Sequence, residues 1–260
     1  MSQVDPIEVL RGGEGPALGT WVKLPSLEIV EIIARTGYDF IVVDNEHSPL
    51  SLESTFNAIA LGQALGLVVL VRVPDRSGGN VQRVLDAGAD GLLVPQVADR
   101  ATAEAVGAQM TFSRDGGVRG MGSTSRAGLW GLRPAAEYLE HGAQRVVHAI
   151  QLEELPAMER AGDLLAAPGV NAAFIGYGDL GLSSGLTSSD PKLQELTQQV
   201  VEITRERRMP LGTAVGTAEA AAAAAKQGFT YVLVSNDASL FATGAKKLSE
   251  DVRRLWRDGG

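Results

Sequence analysis

The sequence predicts an α/β fold, a (β/α)8 TIM-type barrel, on three observations. Short β-branched or apolar runs alternate with longer helical patterns almost from end to end, the order that yields successive βα units and a parallel sheet. Eight such runs can be counted in 260 residues, which matches the strand number and length of a closed barrel. The runs are apolar throughout, as suits strands covered on both faces. An open doubly wound sheet is the alternative; it would usually carry a Gly-rich phosphate turn after its first strand, where this chain has Leu24-Pro25-Ser26.

In chain order the expected strands are 19–24, 40–44, 68–72, 91–95, 146–151, 172–176, 210–215 and 231–235. Between them apolar residues recur at helical spacing, as in Leu27, Val30, Ile33 and Ala34, or Val81, Val84 and Leu85. Gly37, Gly88 and Gly228 each close a helical run before a strand, where glycine tolerates the left-handed cap. After a helix at 102–110, residues 111–131 are rich in Gly, Ser and Arg without periodicity and are expected to be a lid or binding loop at the barrel rim. The Ala-rich stretch 217–226 reads as a plain helix, and 239–256 as a final amphipathic helix before a short glycine tail. A single barrel domain over 1–260 is expected.

Composition narrows the chemistry. There are 23 Lys+Arg against 31 Asp+Glu, a net charge of -8, with no block of basic residues. A nucleic-acid surface, which must neutralise phosphates, is therefore not expected, and a small-molecule partner is. Cysteine is absent, which removes thiolate nucleophiles, disulfides and Cys-ligated metals. The first 20 residues show neither a basic nor an apolar leader region, and no stretch reaches the length of a membrane span, so a cytoplasmic protein is expected.

Chemistry on such barrels is done at the C-terminal strand ends, and several of these turn abruptly polar. The second strand runs into Asp44-Asn45-Glu46-His47, the third ends in Arg72, the fifth runs into Gln151-Leu152-Glu153, and the sixth is followed by Gly176-Tyr177-Gly178-Asp179. Glu153 and Asp179 are candidate ligands of a hard divalent ion; the alternative is a helix cap and a turn residue. His47, three residues after Asp44, is either a general base oriented by that carboxylate or a surface histidine before Pro49. Arg72 needs an anionic partner near the mouth, which is Asp44, Glu46 or a substrate carboxylate. Among the lysines only Lys23, at the end of the first strand, could serve a Schiff-base mechanism.

Together these residues resemble the HpcH/HpaI aldolase family over nearly the whole chain. The blocks are Asp44-Asn-Glu46-His47-Ser-Pro49, Val71-Arg72-Val-Pro74, Leu85-Asp86-Ala-Gly88-Ala89, Leu93-Val-Pro95, Gly117-Val-Arg119-Gly120, Gln151-Leu-Glu153 and Phe174-Ile-Gly176-Tyr-Gly-Asp179-Leu180. The resemblance implies reversible cleavage of a 4-hydroxy-2-oxo acid to pyruvate and an aldehyde through a pyruvate enolate. It implies that Glu153 and Asp179 ligate Mg2+, Mn2+ or Co2+, and that Arg72 contacts the keto oxygen. Gly178 and Asp179 would hold the carboxylate through their amides, with Gln151 lining the site. It further implies that Asp44 and His47 form an acid/base dyad approached by Asp86 of a neighbouring subunit, and that the assembly is a trimer or hexamer with the last helix packed on a neighbour. Leu240, Leu248, Val252 and Leu255 offer a stripe for such packing, or for packing on the chain's own barrel.

The chain departs from the family where the aldehyde would sit. A usual Gly-Pro-Ala-Asp-Leu-Ser block is here Gly176-Tyr-Gly-Asp-Leu-Gly181, and the expected Pro-Pro before Gly-x-Arg-Gly is Ser113-Arg114. Tyr177 and Arg119 are expected on the substrate side, although Tyr177 could instead fill the lost proline's space. Oxaloacetate decarboxylation, a macrophomate synthase-like bond formation, and a barrel that only binds a 2-oxo acid are the competing readings.

Overall fold

The structure is a computed structural model and describes residues 4–258; the glycine tail lies outside them. A short helix α1 (Pro6–Arg11) precedes β1 (Ala17–Val22), and α2 (Leu27–Ala34) leads to β2 (Phe40–Asp44). Then follow α3 (Leu52–Ala64), β3 (Val68–Arg72), α4 (Gly78–Asp86), β4 (Gly91–Val94) and α5 (Arg100–Met110). After a long connection come α6 (Ala135–Gln144), β5 (Val147–Leu152), α7 (Leu155–Glu159), α8 (Ala161–Leu164) and β6 (Ala172–Ile175). The chain ends with α9 (Tyr177–Ser184), α10 (Pro191–Glu206), β7 (Leu211–Val215), α11 (Ala218–Gln227), β8 (Tyr231–Asn236) and α12 (Asp237–Asp258). The eight strands form a closed barrel in sequence order, and every neighbouring pair, including β1 with β8, is parallel.

Strand parity divides the core in two. Phe40, Val42, Val68, Leu70, Val147, Ala149, Ala172 and Phe174 fill the barrel interior, with Leu10 of α1 packed against the same group. Ile41, Val43, Val69, Val71, Ile150 and Ile175 face the helix layer. The interior is tight: a Cβ on Gly19 would lie 2.3 Å from the Phe40 ring, so glycine there makes room for an aromatic side chain. Gly37, Gly88 and Gly228 take φ of +84°, +81° and +106°, as expected of their capping positions.

The long connection differs from its expectation. It joins α5 to α6, ahead of β5, so it begins where a helix has returned to the N-terminal side of the barrel. The Ala127 N–H donates to Asp86 O, Arg126 donates to Ala87 O and Gly88 O, and the Gly120 amide donates to Gln82, all on α4 or just beyond it. The segment is therefore a brace along α4 rather than a lid over the catalytic rim, and Trp130 reaches Phe56 of α3 at 6.3 Å between ring centroids.

Candidate active site

The inward parity that buries Phe40 and Val42 continues to Asp44, and that of Val68 and Leu70 to Arg72. On β5 it runs through Gln151 and on to Glu153, and on β1 through Trp21 and on to Lys23. At the mouth the apolar interior layer thus gives way to a layer of charged groups. Asp44 is completely buried and holds five donors: Arg72 Nε at 2.9 Å, Arg72 Nη2 at 2.8 Å, Lys23 Nζ at 2.5 Å, and the main-chain N–H groups of Glu46 and His47 at 3.1 and 3.2 Å. Burial alone would raise its pKa, but the hydrogen bond and charge of Arg72, with Lys23, outweigh this and push it down to about 2. The Arg72 guanidinium lies over the Trp21 ring, 4.3 Å from its centroid, and turns Nη1 towards Glu46 Oε2 at 3.1 Å.

Across the mouth, Glu153 is fixed from two sides. Its Oε1 accepts the Gln96 N–H at 2.5 Å and its Oε2 accepts Gln151 Nε2 at 2.5 Å. Gln96 adopts φ of +57°, uncommon for a residue with a Cβ, and this strained turn aims its amide at the carboxylate. Gly176 completes the seat, since a Cβ there would stand 3.1 Å from Glu153 Cβ and 3.2 Å from Oε2. Burial, together with the charges of Glu46 and Asp179, raises the Glu153 pKa against the pull of Gln96. Burial likewise raises that of Glu46, whose Oε2 has no hydrogen-bond donor.

Glu46, His47, Gln96, Glu153, Glu154, Asp179, Leu182 and Ser183 line a cavity of about 390 Å3. Four carboxylates, those of Glu46, Glu153, Glu154 and Asp179, therefore line one space, with the Arg72 guanidinium the cation paired to Glu46. This oxygen-rich, negatively charged setting fits a hard divalent cation. Glu153 and Asp179 would hold it with much of the coordination shell left open, and no cluster of three or more His, Asp or Glu among the described residues forms a closed ligand cage. Asp179 stands in the first turn of α9, where the amides of Tyr177, Gly178 and Asp179 have no intrahelical acceptor and the helix dipole favours an anion.

Two expectations are corrected, those for His47 and Tyr177. The imidazole of His47 does not pack on Asp44, whose oxygens are taken by Arg72, Lys23 and main-chain amides; the ring is more than half exposed, with Nε2 3.7 Å from Glu46 Oε2. Tyr177 turns away from the mouth. Its hydroxyl meets Thr197 Oγ1 of α10 at 2.6 Å and its ring packs on Phe229, so it fills the helix layer rather than contacting substrate. Arg119 is 3% exposed, stacked on Phe112 at 4.3 Å and 3.9 Å from Asp86 Oδ1, so it lies with Asp86 on the brace along α4, away from its own chain's cavity. Asp86 itself ends α4 and accepts from Gln82 at 2.8 Å, on the opposite side of the barrel from the mouth of its own chain.

Two contributors have roles that the sequence reading does not assign. Gln96 carries no sequence signal beyond its place after the fourth strand, because its contribution is a backbone amide. Lys23 was considered only as a nucleophile, although its inward parity with Trp21 was a readable sign of a place at the mouth.

The sequence pattern of the HpcH/HpaI aldolase/citrate lyase family matches residues 17–243. A 4-hydroxy-2-oxovalerate aldolase of Novosphingobium aromaticivorans is 32% identical over 251 residues, covering 94% of this chain and 92% of its own. A hydroxypyruvate/pyruvate aldolase of Rhizorhabdus wittichii is 28% identical over 245 residues, covering 92% and 95%. Among solved structures, an HpcH/HpaI aldolase/citrate lyase family protein of Burkholderia cenocepacia superposes with a TM-score of 0.85 at 28% identity, over 95% of this chain and 98% of that one. A match that opens on the first residue of β1, runs into α12 and takes in the strand ends gathered at the mouth makes this chain a member of the HpcH/HpaI aldolase/citrate lyase family.

Proposed function

We propose that the protein is a divalent-metal-dependent aldolase that reversibly cleaves a 4-hydroxy-2-oxo acid into pyruvate and an aldehyde. The observation that carries this reading is the meeting, around one cavity, of the Glu153 and Asp179 carboxylates and the first-turn amides of α9, with the buried Arg72 beside Glu46. Relatives that are aldolases acting on pyruvate-derived acids support it.

A Mg2+, Mn2+ or Co2+ ion held by Glu153 and Asp179 supplies Lewis-acid polarisation of the 2-oxo group. The chain does the rest. Amides of Gly178 and Asp179 bind the substrate carboxylate, which the α9 dipole favours. Arg72, fixed by Asp44 and stacked on Trp21, presents its guanidinium where negative charge develops on the keto oxygen. His47 takes the proton of the C4 hydroxyl; the C3–C4 bond breaks, the aldehyde departs, and the electron pair passes to the C2–C3 enolate, which is then protonated to pyruvate. In the other direction His47 removes a methyl proton of pyruvate.

The test offers a panel of aldehydes with pyruvate and Mn2+ and identifies products by mass, in parallel with deuterium exchange into the pyruvate methyl group. New 4-hydroxy-2-oxo acids, formed with Mn2+ and lost after chelation, are expected, and His47→Ala should abolish exchange. Release of CO2 from oxaloacetate without any aldol product would instead favour decarboxylation, and equal activity in the chelated protein would remove the metal from the mechanism.

A further inference from the structure

We propose that Lys23 is a positioning residue of this site, whose ammonium group bridges the Asp44 carboxylate and the His47 carbonyl and so holds Arg72 and the imidazole-bearing loop in the arrangement proton transfer requires. The inference rests on the aldolase reading. It starts from the anchoring of the lysine. The buried carboxylate of Asp237, first residue of α12, accepts the main-chain N–H groups of Lys23 at 3.0 and 3.1 Å and of Leu24 at 2.9 Å. The end of β1 is thereby clamped where the chain closes onto β8, and the side chain runs into the mouth with a quarter of its surface exposed. Nζ meets Asp44 Oδ2 at 2.5 Å and the His47 carbonyl oxygen at 3.3 Å.

Charge counting gives this bridge its purpose. Asp44 and Glu46 are two carboxylates that both face the guanidinium of Arg72. With Lys23 present the four groups balance, two positive and two negative, and Arg72 can turn part of its positive field to a developing oxyanion. With Lys23 removed, Arg72 must serve both carboxylates, and the cluster gains a net negative charge where the reaction also builds one. The second contact matters equally. His47 donates its N–H to Asp44 Oδ1 and accepts at its carbonyl from Lys23, so both sides of the residue are tied to the same ion pair. Those ties set where an otherwise exposed imidazole stands. Lys23 does not line the cavity, and its amine is directed at Asp44 and the His47 carbonyl; this is the geometry of a brace and not of a Schiff-base nucleophile.

The experiment measures deuterium exchange into pyruvate by the Mn2+-loaded wild type, Lys23→Met and Lys23→Ala, each at a range of pyruvate concentrations. We expect Lys23→Met to lower kcat for exchange by about 10- to 100-fold, the scale of a displaced catalytic group, with KM for pyruvate changed less than about threefold, because carboxylate binding by α9 does not involve it. Methylammonium added to Lys23→Ala should restore part of kcat, whereas tetramethylammonium, which has no N–H, should not. Exchange by Lys23→Met within twofold of wild type overturns the inference. So does a loss borne by KM alone, and so does borohydride trapping of pyruvate on Lys23. A wild type that exchanges no protons overturns the aldolase reading itself and the role of Lys23 with it.

Discussion

At the scale of the residue, Glu153, the ion ligand we propose, is held in a fixed orientation by the chain itself. One oxygen is held by the Gln96 amide, the other by Gln151, and Gly176 leaves it just enough room. Replacement by glutamine keeps the size but turns one acceptor into a donor, which would then face another N–H. Glu153→Gln should therefore weaken Mn2+ binding by about 10- to 100-fold or more, read by calorimetric titration. Its thermal midpoint should stay near or above that of the wild type, because the change removes one of three mutually repelling carboxylates. A variant that binds Mn2+ as tightly as wild type would exclude Glu153 as a ligand. Asp44, Arg72, Glu153 and Asp179 were legible as sudden polarity at strand ends. Their pairing was not: strand parity tells which way a side chain points, while the choice of Asp44 by Lys23 and Arg72, leaving the His47 ring to Glu46, depends on distances between strands. The two readings of Tyr177, substrate contact or filling the lost proline's space, could not be separated for a related reason, because its direction is set by the packing of α9 on α10.

At the scale of the element, the strands were legible to within one or two residues because continuous apolar runs leave little freedom, and 40–44 and 68–72 coincide with β2 and β3. The 111–131 connection was recognised as irregular but placed on the wrong side, since a Gly- and Ser-rich composition says nothing about which end of a barrel a loop serves. One strand also carries an outward-facing titratable group in the helix layer. His148 of β5 is wholly buried, with Nδ1 at 2.8 Å from Gly169 O, and burial pushes its pKa down to about 4; burial and nearby arginines do the same to His141. In the unfolded chain both would titrate near 6.5. The unfolded state therefore binds more protons between pH 6.5 and 4, so stability is full above this window and falls as the pH drops through it, by about 3 kcal/mol for His148. Asp90, buried and raised to about 6, works in the opposite sense, gaining stability as the pH falls from 6 towards 4. Glu46 and Glu153, also raised by burial, work in the same sense as Asp90, against the two strongly depressed histidines; urea denaturation should show lower stability at pH 4.5 than at pH 7. His148→Gln should be less stable at pH 7 yet flatter with pH, and an unaltered slope would show that His148 is not the group responsible.

At the scale of the whole molecule, the chain looks incomplete in two places that fit one explanation. Helix α12 makes its main contacts with β1 and β8 at its start and is exposed from 239 to 250, with Phe241 at 72% and Trp256 at 75% exposure, and Leu240, Leu248 and Leu255 also uncovered. We propose that another copy of the chain covers this apolar face. Asp86, meanwhile, has a buried oxygen without a hydrogen-bond donor and sits beside Arg119, across the barrel from its own mouth. In a ring of copies, a trimer or a hexamer built from two, as the family resemblance implies, we propose that Asp86 of one copy approaches the His47 loop of the next. Such a shared site has a signature that a self-contained one lacks. His47→Ala and Asp86→Asn, each nearly inactive alone, should regain activity when mixed, unfolded and refolded together. Random assembly places an intact His47 against an intact Asp86 in about one quarter of the sites of a cyclic oligomer, so about a quarter of wild-type turnover is the expected ceiling. Mixing without refolding controls for simple addition, and Leu248→Asp with Leu255→Asp, which should disperse the assembly in sedimentation, should abolish the recovery. No recovery from co-refolded variants that do assemble would place the whole site within one chain.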